Sequence, residues 1–159
     1  MFKNVLVTTD GSARAEKAAA YAIDLARNTG GSLHVISVVN EDKPRNAGEI
    51  DPDFYEEIVD SPNVDTGALE LKRKKPEMEF AGRIAEQASQ QGVEASTVVR
   101  VGNPAEEIVS AASDLGADVI VVGSHGRGAA AAALMGSVAT NIIHKGDVPV
   151  LVIPVHGEE

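Results

Sequence analysis

The chain of 159 residues contains no cysteine and no tryptophan, and aromatic residues make up only 3% of it. Without cysteine it has no disulfide scaffold, no thiolate metal ligand and no thiol nucleophile, and such a composition fits a reducing compartment. With so few aromatic residues, a core has to be built from Val, Ile, Leu and Ala. The apolar share of 43% at this length is enough for the core of an ordinary globular domain.

Basic residues are scarce, because 14 Lys and Arg stand against 24 Asp and Glu, for a net charge of -10. Nucleic acids bind basic surfaces, so this charge argues against a nucleic-acid partner. No apolar run approaches the roughly 20 residues of a membrane-spanning helix, and the one after Met1 is too short for a secretory signal. We therefore expect a cytoplasmic protein without membrane insertion, in which backbone N–H groups would hold any phosphate ligand.

Short apolar runs alternate with helical patterns along the chain. The apolar runs predict β-strands at 5–8, 32–39, 95–101, 117–123 and 148–155, and helices are predicted at 13–28, up to about 91, at 104–115 and at 137–145. Continuous apolarity is typical of strands in a parallel sheet that is covered on both faces. We therefore predict an α/β fold. It is a single doubly wound, Rossmann-like domain over 1–159, with a five-stranded, mainly parallel sheet in the order 3-2-1-4-5 and helices on both faces.

Residues 40–75 depart from this alternation. Acidic residues, Pro, Gly and Asn are concentrated there up to residue 67, which predicts a long acidic surface loop with one short helix at Asp53–Val59. The helix that follows has its strongest apolar periodicity after Pro76. The periodic positions, which we expect to pack on the sheet, are Met78, Ala81, Ile84, Ala85 and Ala88.

A glycine-rich stretch, "GSHGRGAAAAALMGS", follows the fourth predicted strand at Gly123–Ser137. Glycine lets the backbone approach a ligand closely. A helix that begins near Ser137 presents free N–H groups and a positive dipole end, which together bind anions. In the predicted strand order the first and fourth strands are neighbours, so Asp10 and Gly123 would face one crevice. The stretch matches neither the Walker phosphate loop nor the dinucleotide fingerprint.

The spacing G-x2-G-x9-G-S at Gly123, Gly126, Gly136 and Ser137 resembles the nucleotide-binding pattern of the universal stress protein family. The opening "NVLVTTDGS" and the closing "GSVATNIIHKGDVPVLVIP" are also similar to that family. The similarity covers nearly the whole chain and is weakest over residues 40–75. It implies the five-stranded α/β fold and an ATP-binding protein of the stress response.

The resemblance also implies roles for particular residues. Asp10 would contact the adenosine part, and the backbone around Val38 would hold adenine. The glycines of the stretch would approach ribose and phosphates, and the head of the helix at Gly136 would bind phosphates. The complete set of implied nucleotide-binding residues is Thr8, Thr9, Asp10, Val38, Gly123, His125, Gly126, Arg127, Gly136, Ser137, Val138 and Ala139.

The ligand implied in this way is ATP, with AMP or ADP as alternatives, and Mg²⁺ or Mn²⁺ would be carried on its phosphates rather than in a protein cage. Three features depart from the family pattern. Thr8 stands where many relatives have Pro, Ala139 stands where some ATP binders have a hydroxyl, and small residues fill Ala129–Ala133. The last two could weaken contacts to the nucleotide.

Alternatives to a regulatory ATP-binding protein remain open at this point. A slow ATPase or adenylyl-transfer enzyme would need a positioned water and a charge-stabilising residue, for which only His125 and Arg127 are candidates. A nucleotide-free interaction module is the third interpretation, and the glycines argue against it. The last strand, at 148–155, is apolar and lies at a sheet edge, and members of the resembled family dimerise through it. We therefore expect a homodimer, with an unknown protein partner.

Overall fold

The computed structural model describes residues 1–40, 66–125 and 135–155, with the backbone alone over 66–73. The short helix predicted at Asp53–Val59, the run Ala129–Ala133 and the site residues Gly126 and Arg127 lie outside the described residues. The strands are β1 Asn4–Thr8, β2 Ser32–Asn40, β3 Glu94–Gly102, β4 Val119–Gly123 and β5 Val150–Ile153. The helices are α1 Ala13–Thr29, α2 Thr66–Gln90, α3 Pro104–Leu115 and α4 Ser137–Lys145.

The five strands form one sheet in the order β3-β2-β1-β4-β5, and every pair of neighbours is parallel. The predicted α/β fold and strand order are therefore confirmed. In the centre of the sheet, Val5 of β1 stands opposite Leu33 of β2 and Val119 of β4. The order reverses between β1 and β4, so the turns that follow these two strands open at the same edge of the sheet.

Side chains of alternate parity on each strand build two cores, one on each face of the sheet. On one face, Val7 and Val121 belong to a core that includes buried alanines of α1 and α2. On the other face, Leu6 and Ile120 pack against α3 and α4. Alanine supplies much of the helical side of both cores, so the helices approach the sheet closely despite the lack of aromatic residues.

The predicted helix starts and stops agree with the structure at α1 and α3. Ser12 accepts the N–H of Ala15 at 3.2 Å, and Asn103 accepts the N–H of Glu106 at 3.2 Å, so both side chains cap helix N-termini. Gly30 and Gly116 end these helices in the left-handed conformation, at φ of 68° and 65°. Within the described residues, no helix is both long and apolar enough to cross a membrane.

Two sequence expectations are wrong in detail. Met78 is 50% exposed, whereas Glu77 is buried and continues the sheet-facing positions of Ala81, Ile84 and Ala88 at helical spacing. The apolar periodicity favours Met78 over Glu77 as a sheet-facing residue, because a carboxylate is unusual among buried helical positions. Strand β5 covers only Val150–Ile153 of the predicted 148–155, because the flanking prolines have no N–H to donate to a strand ladder.

Candidate functional site

The carboxyl ends of β1 and β4 lie side by side, since Val7 pairs with Val121 two residues before β4 ends at Gly123. The first turn of α1 is close to the same place. A Cβ on Gly123 would stand 3.9 Å from the carbonyl oxygen of Arg14. The turn after β1 and the exit of β4 are thus brought together, as the strand order predicted. We call the surface formed by Thr9–Gly11, Gly123 and Gly136–Ala139 the candidate crevice.

Hydrogen bonds to side chains organise the turn after β1. Thr9 donates its N–H to the carbonyl of Ile36 at 2.9 Å, so the turn begins while still bonded to β2. The Thr9 hydroxyl accepts the N–H of Gly11 at 3.2 Å, and the carboxylate of Asp10 accepts the N–H of Ser12 at 2.9 Å. Asp10 therefore has a structural role as a turn residue. Thr8 is the last residue of β1 and pairs with Ile36.

A buried polar contact behind this turn was not anticipated from the sequence. The hydroxyl of Ser37 donates to the carbonyl of Thr9 at 2.9 Å and also lies 3.4 Å from Oε2 of Glu77. Ser37 is 1% exposed and Glu77 is 5% exposed. The contact joins β2 and α2 to the turn that carries Asp10. In the sequence, the contact is indicated only by Glu77, a polar residue at helical spacing from the core-facing positions of α2.

Ser124, directly after β4, links three elements. Its carbonyl accepts the N–H of Gly136 at 2.6 Å, which fixes the start of α4 at the exit of β4. Its own N–H donates to the carbonyl of Ile153 at 2.9 Å, and its hydroxyl accepts the N–H of Val155 at 3.0 Å. Ser124 is buried. In the sequence, the role of Ser124 is indicated only by its position between two glycines of the motif.

The N-terminus of α4 forms one wall of the candidate crevice. Gly136 is the N-cap and makes no side-chain capping bond, so it leaves the first helical N–H groups to another acceptor. Ser137 is exposed at the first helical position. Ala139 is buried in the core of α3 and α4, so only its backbone faces the helix end. Ala139 stands where some ATP binders of the resembled family have a hydroxyl. This difference therefore lies on the side of α4 that faces the core.

The remaining residues of the implied site differ in their surroundings. Val38 is partly buried against the core on the α3 side, so the backbone of β2 rather than this side chain is available to a ligand. His125 is buried, and its Nδ1 lies 3.0 Å from the hydroxyl of Ser124. Gly123 is close-packed as well, because a Cβ there would lie 3.3 Å from Cγ2 of Val155.

Metal ligands do not gather in the described part of the chain, where no group of three His, Asp or Glu side chains is placed to hold an ion. His34 bonds through Nδ1 to the hydroxyl of Ser96 at 2.6 Å, across the β2–β3 pair.

The chain was compared with known families and solved structures. The model of the universal stress protein family matches residues 1–154. The chain belongs to this family. Universal stress protein MJ0577 of Methanocaldococcus jannaschii is 30% identical over 162 aligned positions, which cover 96% of this chain and 95% of that protein. A solved structure of MJ0577 matches with a TM-score of 0.77 and 27% identity, and covers 99% of each chain.

Two solved universal stress proteins carry nucleotides. One, in complex with cAMP, has a TM-score of 0.65 and 22% identity and covers 99% of this chain and 98% of its own. The other, from Archaeoglobus fulgidus and in complex with dAMP, has a TM-score of 0.60 and 24% identity, and covers 96% of this chain and 99% of its own. At these identities the two structures establish a shared fold.

Proposed function

We propose that this universal stress protein is an adenine-nucleotide-binding regulatory protein and that its ligand is ATP, held in the candidate crevice. The observation that carries the proposal is the bond from Gly136 to Ser124, 2.6 Å long, which holds the uncapped start of α4 at the exit of β4. The Asp10 turn lies next to that exit. A helix end that suits an anion and a polar turn therefore lie at the switch point of the sheet, which supports a nucleotide site there.

The phosphates would bind at the start of α4. A helix N-terminus offers unbonded N–H groups and a positive partial charge, and both favour phosphate. Ser137 adds a hydroxyl, and Val138 and Ala139 add backbone donors. Backbone donors suit a chain whose net charge is -10, because they bind phosphate without clustered Lys or Arg. The carried cation, Mg²⁺ or Mn²⁺, would sit on the phosphates.

The nucleoside would bind at the other end of the crevice, between Asp10 and the backbone of β2 near Val38. A carboxylate suits ribose hydroxyls, because it accepts their hydrogen bonds. The cAMP and dAMP complexes described above support an adenine ligand, since both ligands join an adenine to a phosphate and both proteins share this fold.

The protein would act through an equilibrium rather than through turnover. A bound nucleotide shifts a conformational or assembly equilibrium only if it binds the two states with different affinity. We propose a cytoplasmic stress-response protein of one domain that forms a symmetric homodimer. The edge strand β5 is the proposed interface, because it is apolar and an uncovered apolar edge tends to pair with another strand. Pro149 and Pro154 would limit the length of that pairing.

The proposal is tested first by identifying, by mass spectrometry, the nucleotide released from the purified full chain on denaturation. Calorimetry then measures the affinity of stripped protein for ATP. Gly136→Val should lower the affinity for ATP at least about tenfold. Its Cβ would enter the phosphate position, while φ of -68° and ψ of 156° suit valine without strain.

Gly82→Ala is the control, since a Cβ at Gly82 has open space and no role in the crevice. It should bind ATP as the wild type does. Purified protein without nucleotide, together with no measurable ATP binding, would contradict the proposed function. Equal ATP affinity in wild type and Gly136→Val would contradict the proposed phosphate position.

A further inference from the structure

The bonds of Ser124 connect the candidate crevice to the edge strand β5. We propose that Ser124 is a positioning residue that transmits nucleotide occupancy at the start of α4 to the carboxyl end of β5. The inference rests on the proposed function, because it requires a ligand at the α4 end of the crevice. It adds a route by which binding of such a ligand would affect the edge strand of the sheet.

The first step of the route is the backbone of Ser124. Its carbonyl accepts the N–H of Gly136, the N-cap of α4, at 2.6 Å. A phosphate bound by the next N–H groups of α4 pulls on the same helix end. The peptide that carries the Ser124 carbonyl therefore moves with the start of α4, because the bond is short and Ser124 is buried.

The second step is the pair of bonds from Ser124 to β5. The Ser124 N–H donates to Ile153, the last residue of β5, at 2.9 Å. The hydroxyl accepts the N–H of Val155 at 3.0 Å, beyond the end of the strand. This second bond continues the attachment past Pro154, where a ladder bond is unavailable because proline has no N–H. Ser124 is thus hydrogen-bonded to the residues on both sides of Pro154.

The third observation is the close packing around these bonds. A Cβ on Gly123 would stand 3.3 Å from Val155, so the backbone before Ser124 is in contact with the same segment. Val155 is 1% exposed, and the Ser124 hydroxyl also lies 3.0 Å from Nδ1 of His125. A buried, fully packed link responds to displacement at one end by displacement at the other.

The side chain and the backbone of Ser124 have separable roles. Ser124→Ala removes only the hydroxyl and keeps the backbone bonds to Gly136 and Ile153. If the route is correct, this variant still binds ATP at the start of α4, but the response of the segment after β5 is reduced. A residue that merely stabilises the fold would not change one response and keep the other.

The test is an ATP titration of ¹⁵N-labelled full chain followed by amide chemical shifts. In the wild type, the signals of Ser137, Val138, Ile153 and Val155 should all shift. In Ser124→Ala, the shifts of Ser137, Val138 and Ile153 should remain, because their backbone bonds are kept. The shift of Val155, which loses its bond to the hydroxyl, should fall by at least about half. Thr29→Ala is the matched control, because it removes a hydroxyl that bonds to backbone at the opposite end of the sheet. All four shifts should persist in it.

Each result has a distinct meaning. An equal shift at Val155 in wild type and Ser124→Ala would overturn the inference and leave the proposed function intact. The same holds if the wild type responds at Ser137 but not at β5. If the wild type shows no response to ATP at all, the proposed function and the inference fail together.

A measurement on the wild type covers the case in which Ser124→Ala does not fold. Saturating ATP should slow hydrogen exchange of the Val155 N–H at least about fivefold, the lower end of common coupling factors. The N–H of Asp118, which bonds to Asn4 at the other end of the sheet, should change less than about twofold. Unchanged exchange at Val155 in ATP-bound protein would overturn the inference without any variant.

Discussion

The ring of Phe80 occupies the space that a side chain on Gly11 would need. A Cβ on Gly11 would lie 2.6 Å from Cε2 and Cζ of Phe80. Gly11 also has φ of 81°, which L residues with a side chain rarely adopt. Helix α2 is therefore packed directly against the turn that carries Asp10, and a glycine is needed at that contact for two independent reasons.

Gly11→Ala should lower the free energy of unfolding by at least about 2 kcal/mol, because it adds left-handed strain to a clash with the Phe80 ring. Urea denaturation measures the change. Gly82→Ala, inside α2 and facing open space, should instead stabilise the protein by up to about 1 kcal/mol. Adding Phe80→Leu to Gly11→Ala should recover the steric part alone. Equal stability of the two glycine variants would refute this packing.

Asp10 has a turn role and a proposed ligand role, and two substitutions separate them. Asp10→Ala should cost about 1 kcal/mol of stability, because the N–H of Ser12 loses its acceptor. It should also weaken adenosine binding, while inorganic triphosphate binding stays unchanged. Asp10→Asn keeps an oxygen for Ser12 and should keep the stability. Calorimetry with adenosine and with triphosphate measures binding. An equal loss of affinity for both ligands would show that the two ends of the crevice are wrongly assigned.

The buried contact between Ser37 and Glu77 should be energetically coupled. Ser37→Ala should destabilise the protein by about 1–2 kcal/mol, because the Thr9 carbonyl loses a buried donor at 2.9 Å. A double-mutant cycle with Glu77→Gln should give a coupling energy of at least about 0.5 kcal/mol. Ser89→Ala, an exposed change on α2, should stay within about 0.5 kcal/mol of wild type. Strict additivity of Ser37→Ala and Glu77→Gln would mean that the contact has no energetic role.

Leu151 and Ile153 lie on the same face of β5 but should respond differently to a charge, because only Ile153 is covered. Ile153 is 4% exposed and Leu151 is 40% exposed. Ile153→Lys should therefore cost several kcal/mol by burying an unpaired charge. Leu151→Lys should change stability by less than about 1 kcal/mol but dissociate the proposed homodimer. Sedimentation measures assembly and denaturation measures stability. A wild type that stays monomeric at high micromolar concentration, with and without ATP, would refute the dimer.

The strands and helices could be predicted because the relevant signals are local. The runs around Val5 and Val119 are apolar at every position, as strands covered on both faces must be, and the caps Ser12 and Asn103 mark helix starts by their chemistry. Right-handed crossovers then leave few arrangements for alternating strands and helices. The glycine spacing also predicts that the exit of β4 and the start of α4 belong to one candidate site, because a single motif spans both.

The roles of Ser124 and Glu77 could not be predicted in the same way. Each bonds to residues far away in the chain, such as Val155 and Ser37, and no local pattern records which partners will meet. The misplacement of Met78 has the same origin, because the buried face of α2 is decided by what lies opposite it on β2 and β3. His125, proposed for the site by its position in the motif, proved to be buried against Ser124.

The sequence by itself determined the α/β class and the positions of the glycines, because these depend on hydrophobic periodicity and on backbone chemistry that each segment carries alone. The expected strand order agreed with the fold that the family resemblance implies. Only the tertiary structure decided that Gly136 bonds to Ser124, that Phe80 covers Gly11 and that hydrogen bonds from Ser124 hold the end of β5. These contacts arise when segments distant in sequence are packed at van der Waals distance. Side-chain volume and hydrogen-bond geometry then select partners that no single segment specifies.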